Sequence, residues 1–237
     1  MLKIVLDKLS FFFGILFFYN QLKKNKLVSS EPEFYILKKF IKKDDSVVDI
    51  GANIGRYSFE LSKIVGHKGK VYSFEPILRN YLTFISLIFI HEAKNIIPFN
   101  IALSDETKLL KMNEVKTSIR YKVLFNTYTA SKVRKKGSLN HYSIKLDDLK
   151  IKNKISFIKI DVEGHEMQVL RGAKNIIIKN KPIILIQDND KKVINYLRSW
   201  GYAQAKIKMK NSRKNYLFIY KKNMSLFLKS INFVDEN

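Results

Sequence analysis

The chain has 237 residues, 46% of them hydrophobic, no cysteine and a formal net charge of +23. That length holds one large α/β domain with a real core, and the lack of cysteine excludes disulfides, zinc–thiolate sites and a cysteine nucleophile. Lysine supplies 37 of the 44 basic residues and arginine only 7; bidentate reading of bases and phosphates favours arginine, so the charge reads as the lysine-rich usage of an AT-rich coding sequence, with an anionic substrate, an acidic membrane surface or RNA as the alternative.

Residues 1–27 stand apart. The run Leu9-Ser10-Phe11-Phe12-Phe13-Gly14-Ile15-Leu16-Phe17-Phe18-Tyr19 is apolar and is flanked by Lys3, Lys8, Lys23, Lys24 and Lys26. It falls short of the roughly 20 residues that span a bilayer. It has the length of a signal h-region, but no small-residue cleavage site follows. Two readings stay open: a helix docked on the domain or on a second copy, or an interfacial membrane anchor with lysines facing anionic headgroups. The chain therefore divides into a helical extension over 1–30 and one domain over 31–237.

Ser30-Glu31-Pro32-Glu33 has the form of a helix start, and Phe34, Leu37, Phe40 and Ile41 lie at helical spacing to face a sheet. Strand one is predicted at 46–50, a helix at 56–65 with Phe59 and Leu61 inward, and strand two at 70–74. A helix from about Arg79 to Ala93 carries Leu82, Ile85, Leu87, Ile88 and Phe89, a broad apolar face expected to be buried. Strand three is placed near 96–103. Strand–helix alternation of this kind means a doubly wound parallel sheet.

Residues 106–145 break the rhythm. They hold Thr117, Ser118, Tyr121, Thr127, Tyr128, Thr129 and Ser131, then the basic run Lys132-Val133-Arg134-Lys135-Lys136. Such interruptions are lids or substrate loops, or extra edge strands with a solvated loop, and the two can coexist. Strand four follows at 155–161, then a helix carrying Met167, Val169, Leu170 and Ala173. Strand five is 183–187, a helix lies near 190–199, and strands near 203–209 and 215–221 form a hairpin through Asn211-Ser212. The fold class is thus Rossmann-like α/β: a doubly wound, mostly parallel sheet with a C-terminal antiparallel hairpin and an N-terminal helical extension.

The chemistry concentrates at strand ends. Val47-Val48-Asp49-Ile50-Gly51-Ala52-Asn53-Ile54-Gly55 is an apolar strand running into a glycine loop, and Glu75 closes the next strand twenty residues after Gly55. Glycines let backbone N–H groups approach a nucleoside, and a carboxylate at the end of strand two takes ribose hydroxyls. The loop is D-x-G-x-N-x-G, not the G-x-G-x-x-G of a dinucleotide site. An acid at its start disfavours a diphosphate and favours a cationic ligand, and S-adenosylmethionine fits. Ligands of open α/β sheets sit beyond the carboxyl ends of the strands, which places Asp49, Glu75, Asp105 and Asp161 along one crevice.

Asp161-Val162-Glu163-Gly164-His165-Glu166 is the densest polar cluster of the chain. Methyl transfer needs alignment of donor and acceptor, and an alcohol acceptor must also lose a proton. His165 is the candidate base, with helix capping or packing as its alternative role. Asp161 and Glu163 are read as orienting the acceptor; a divalent cation between them is the less favoured reading, since two carboxylates alone are weak metal evidence. Glu166 suits the helix N-terminus, where negative charge is favourable. The four histidines, His67, His91, His141 and His165, show no metal-ligand spacing.

Asp49-Ile50-Gly51-Ala52-Asn53-Ile54-Gly55, Phe74-Glu75-Pro76, Ala102-Leu103-Ser104-Asp105, Leu146-Asp147-Asp148-Leu149 and Lys159-Ile160-Asp161-Val162-Glu163-Gly164-His165-Glu166 with Val169-Leu170-Arg171-Gly172-Ala173 together resemble the FkbM family of methyltransferases. The match runs in order from about residue 45 to 187, and its last block is the most specific. The resemblance implies a Rossmann-like fold that uses S-adenosylmethionine and methylates hydroxyls on sugars, polyketides or related metabolites. It implies cofactor roles for Asp49, Gly51, Asn53, Gly55 and Glu75, places Ser104 or Asp105 near the adenine, and points to Asp161 and Glu163 at the reaction centre. One departure is Gln187, where the family often ends strand five with an acid.

The expected activity is O-methyl transfer to a sugar, glycan or lipid-linked saccharide, in the cytoplasm, with peripheral contact at the inner membrane face or homo-oligomers through residues 1–27 left open. An RNA methyltransferase is the first rival, though strand four lacks the Asn/Asp-Pro-Pro-aromatic signature of enzymes that methylate exocyclic amines. A cofactor-binding scaffold in a polysaccharide assembly complex is the second.

Overall fold

The computed structural model describes residues 2–24, 33–116, 129–133, 139–187, 190–205, 215–225 and 228. Helices α1 (Leu2–Lys23) and α2 (Glu33–Phe40) lead into β1 (Ser46–Ile50), α3 (Arg56–Val65), β2 (Lys70–Phe74), α4 (Leu78–Ile90) and β3 (Ile96–Phe99). Then come β4 (Ala102–Leu103), β5 (Lys108–Lys116), β6 (Thr129–Val133) and β7 (Leu139–Ile144). The chain continues through β8 (Ile155–Ile160), α5 (Glu166–Gly172), α6 (Lys174–Asn180), β9 (Ile183–Ile186), α7 (Lys191–Ser199), β10 (Tyr202–Gln204) and β11 (Tyr216–Tyr220).

The main sheet has seven strands in the order β10-β11-β9-β8-β1-β2-β3. From β9 to β3 all pairs are parallel, and β11 and β10 close the sheet antiparallel. This is the doubly wound sheet with a C-terminal hairpin that the sequence pattern predicts. The hairpin's turn, Asn211-Ser212, lies outside the described residues, as do Ser30, Glu31 and Pro32.

Strands buried on both faces divide their side chains between two cores, because successive residues point to opposite sides. Val47, Val71, Phe157, Leu185 and Leu217 face one core, packed with Phe18 and Leu22 of α1, Phe34 and Leu37 of α2, Phe59 and Leu61 of α3, and Phe84 and Leu87 of α4. Val48, Ile50, Ile158, Ile160, Ile184 and Phe218 face the other, against Val169 and Leu170 of α5, Ile177 of α6 and Val193 and Leu197 of α7. Helix α1 is therefore docked on the domain: it packs on α4, and the Tyr19 and His91 rings lie 5.1 Å apart.

Three expectations are corrected. Strand three does not run unbroken to 103: it stops at Phe99, and Ala102–Leu103 pairs instead with β7 in a second sheet. Asn100 marks the break, its amide donating to the Glu75 and Pro76 carbonyls at 2.9 and 3.0 Å. The region after it builds a separate four-stranded sheet, order β4-β7-β5-β6, in place of edge strands on the main one; residues 117–128 and 134–138, with most of the basic run, lie outside the described set. The apolar face of α4 is buried only in part, for Leu82 is 40% and Phe89 85% exposed.

Candidate functional site

The parallel order reverses between β1 and β8, because the chain winds from β1 out to β3 and then returns to the other side. Crevices form outside the strand ends at such a point. Here a cleft with about 690 Å³ of empty space, open to solvent, lies over the ends of β1, β2 and β8. Gly51, Asn53, Glu75, Asp161, Glu163 and His165 all line it. The small sheet supplies the facing wall through Ala102, Leu103, Leu110 and Met112.

The loop after β1 is held in a shape that few residues adopt. Gly51, Asn53 and Gly55 have φ of 77°, 54° and 88°, a region that costs side-chain-bearing residues about 1 kcal/mol or more. A Cβ on Gly51 would stand 1.9 Å from the Asp161 carbonyl oxygen, so the loop can lie against the β8 end only as glycine. The Gly51 and Ala52 N–H groups donate to the Phe74 carbonyl, which ties the loop to β2.

Glu75 is 5% exposed. Its Oε2 accepts from the Asn53 N–H at 2.8 Å, and its Oε1 from the Ile77 N–H at 2.9 Å and the Asn80 amide at 3.3 Å. Burial pushes its carboxyl up to about 7, against the opposing pull of these donors and of Lys159. Oε2, with a single donor, keeps lone-pair capacity for a further one. Beside it, Asn53 Oδ1 is buried without a hydrogen-bond partner. A native orphan of this kind needs explaining, and a donor arriving in the cleft would satisfy it.

Asp49, Gly55, Ser104 and Asp105 do not line the cleft. Asp49 is fully buried behind it and accepts from Ser58 Oγ at 2.6 Å. Gly55 starts α3, and a Cβ there would stand 2.1 Å from the Phe84 ring. Ser104 is fully buried, and its Oγ lies 2.9 Å from His165 Nε2 and donates to Asp105 Oδ1 at 3.1 Å. Asp105 faces outward toward Lys108 at 3.7 Å and Arg171 at 4.0 Å.

His165 is itself 7% exposed. Burial lowers its pKa, and the charge on Lys108 adds to this against the pull of Asp105. The side chain does not cap α5. Glu166 does support that terminus, accepting from the Gly164 N–H at 3.0 Å. Glu163 and Gly164 have φ of 53° and 97°, which turns the chain sharply at the cleft floor. Among the described residues no group of three His, Asp or Glu side chains converges in a way that could hold a metal ion.

Two residues that the motifs contain, but to which they give no role, take part. Lys159 sits directly opposite Asp49 in the β1–β8 register and is 5% exposed. Its ammonium lies 3.4 Å from Asp49, 3.5 Å from Asp161, 3.0 Å from the Gly51 carbonyl and 5.0 Å from the centre of the Tyr57 ring. Burial acts to lower its pKa, but the two carboxylates outweigh it and the net shift is upward. The signal was a lysine in one apolar strand and an aspartate in another, each needing a partner if both strands are central. Gln187 is the second. With its amide nitrogen turned toward Asp161, as the surrounding acceptors require, it donates to Oδ2 at 2.8 Å and Oδ1 at 3.2 Å. Asp161 is thus fixed from two sides.

The profile of the Methyltransferase FkbM domain matches residues 49–203. The crystal structure of Methyltransferase FkbM from Methylobacillus flagellatus KT superposes with a TM-score of 0.55 at 21% identity, over 75% of this chain and 44% of that one. The chain spans less than half the length of that protein. A SAM-dependent methyltransferase from Aquifex aeolicus gives a TM-score of 0.45 at 17% identity, covering 85% and 96% of the two chains. An rRNA methylase from Streptococcus thermophilus gives 0.48 at 12% identity, covering 81% and 96%. No curated protein matches the chain.

Proposed function

The chain belongs to the FkbM family of S-adenosylmethionine-dependent methyltransferases, and on that premise we propose that it methylates a hydroxyl of a sugar, glycan, lipid-linked saccharide or related metabolite. The observation that carries this reading is one cleft with two chemistries. Glu75 and the orphaned Asn53 Oδ1 lie on one side, and Asp161, Glu163 and His165 on the other.

The residues present fit the cofactor. Glu75 Oε2 offers an acceptor suited to a ribose hydroxyl, Asn53 Oδ1 an acceptor for a further donor, and Gly51 a close backbone approach. When bound, S-adenosylmethionine supplies an activated methyl on a sulfonium. Asp49 serves from behind: with Lys159 it fixes the β1 end and the loop that follows. Gly55 serves by letting α3 start close to Phe84. Ser104 and Asp105 act through His165.

The proton of the acceptor is the task left to the protein. Ser104 Oγ donates to Asp105, so it accepts from His165 Nε2–H. That fixes the tautomer and leaves the lone pair at Nδ1. Burial keeps the ring neutral at physiological pH, ready to accept a proton. Asp161, held by Lys159 and Gln187, and Glu163 orient the acceptor hydroxyl.

Calorimetric titration with S-adenosylhomocysteine, with NAD as control, tests the cofactor half, and turnover on sugars and lipid-linked saccharides tests the acceptor half. The His165→Gln variant should bind S-adenosylhomocysteine normally and lose about 10²–10⁴-fold in kcat, the usual contribution of a positioned base. Normal turnover by that variant would remove His165 from the role.

A further inference from the structure

Helices α1 and α4 share an unusual property: each is apolar on the side turned away from the core. In α4, Leu78, Leu82 and Phe89 are 56%, 40% and 85% exposed, with half-buried Ile85 completing a row at intervals of four, three and four residues. In α1, Gly14, Phe18 and Leu22 are buried, while Phe12, Phe13 and Leu16 are 58%, 51% and 40% exposed. At 100° per residue these two sets fall on opposite sides of the helix. A helix apolar all round needs cover on both sides, and the fold covers only one.

The surroundings say what the cover is. The first 43 residues contain nine lysines against three acids, Asp7, Glu31 and Glu33. Helix α4 contains no acid at all. Helix α2, which shares the α1 core, contributes Lys38 and Lys39 to a concave surface with Lys42, Lys43 and Lys63, where the one acid, Glu60, is paired with Lys63 at 2.6 Å. Two copies meeting here would bring like charges together. An anionic lipid surface would neutralise them while its acyl boundary takes the aromatic and aliphatic side chains. Among the described residues no helix is long and apolar enough to cross a membrane, so contact is along the interface.

We propose that the outer face of α1 and α4 rests on an anionic phospholipid surface and brings the cleft to a lipid-linked acceptor. The apolar row of α4 begins at Leu78, two residues past Pro76, which lines the cleft. The acceptor half rests on the methyl-transfer reading above; the membrane half does not.

Co-sedimentation of the full chain with phosphatidylcholine vesicles, with and without phosphatidylglycerol, tests it. Binding should be on the order of tenfold or more tighter to the anionic vesicles and should weaken with salt. The triple variant Phe12→Ser, Leu16→Ser, Phe89→Ser should lose that binding while keeping its affinity for S-adenosylhomocysteine. Should that variant not fold, Phe89→Trp with brominated-lipid quenching decides: quenching supports the contact and its absence overturns it, the native Trp200 being packed against the opposite core. No vesicle binding would overturn the proposal, and a dimer by light scattering that the triple variant dissolves would overturn it by assigning the face to a second copy. Vesicle binding with turnover only on soluble acceptors would keep the surface and overturn the lipid-linked acceptor.

Discussion

At the residue scale the site depends on one buried cation. Lys159 lies between Asp49 and Asp161 with almost no solvent contact. Removing one partner from such a group leaves an uncompensated charge, at about 3–5 kcal/mol. Lys159→Met should therefore destabilise the fold by roughly that amount in urea titration, and adding Asp49→Asn should recover a substantial part. A double-variant loss equal to the sum of the two single losses would mean that the pair is not coupled. Glu75 gives a pH prediction. Its carboxyl goes from the ordinary 4.5 to about 7 on folding. Its ionisation costs nothing below 4.5, costs increasingly between 4.5 and 7, and costs on the order of 3 kcal/mol above 7. A ligand whose hydroxyls donate to the ionised form draws the pKa back down, so S-adenosylhomocysteine should bind more weakly below pH 7 and release protons near pH 6.5. Calorimetry in buffers of different ionisation enthalpy reads this, and a buffer-independent heat would show that Glu75 does not titrate on binding. Much of this was legible: an acid closing each apolar strand marked Asp49, Glu75 and Asp161. Which of them lines the cleft was not, since Asp49 lies inside β1 with its side chain turned to Ser58 and Lys159, whereas Glu75 and Asp161 stand just past their strand ends.

At the element scale the site is set by how closely helices approach strand ends. A Cβ on Gly172 of α5 would stand 1.8 Å from the Ser104 carbonyl oxygen, a backbone atom that cannot step aside. Gly172→Ala should push α5 away from the β4 end and loosen the Ser104–His165 contact. We expect a stability loss of about 1–3 kcal/mol with a larger proportional loss of kcat than of cofactor affinity. Unchanged kcat in a destabilised protein would separate α5 packing from catalysis. The central strands and α3 were readable because continuous apolar runs bounded by glycines leave little choice of element. The break of strand three was not, since Ile96 to Leu103 is nearly all apolar, and only the reach of Asn100 to the Glu75 and Pro76 carbonyls shows why pairing stops. The helix after His165 likewise divides into α5 and α6 at Ala173, with no proline to announce it.

At the scale of the whole molecule, α1 joins two demands that sequence alone left as alternatives. Phe18 and Leu22 lie in the same core as α2, α3 and α4, whereas Phe12, Phe13 and Leu16 face outward. An apolar run with lysines at both ends does not reveal which side meets the protein, because the choice depends on α4, more than fifty residues later in the chain. The two sides should respond differently to the same chemistry. Phe18→Ala removes a buried ring and should cost about 3–5 kcal/mol. Phe12→Ala removes an exposed one and should stay within about 0.5 kcal/mol in solution. Urea denaturation of both variants without lipid reads the difference. Similar, small effects would mean that α1 is an appendage rather than part of the core. A large loss for Phe18 with none for Phe12 would establish that the helix is anchored to the domain by one face while the other remains available for a partner.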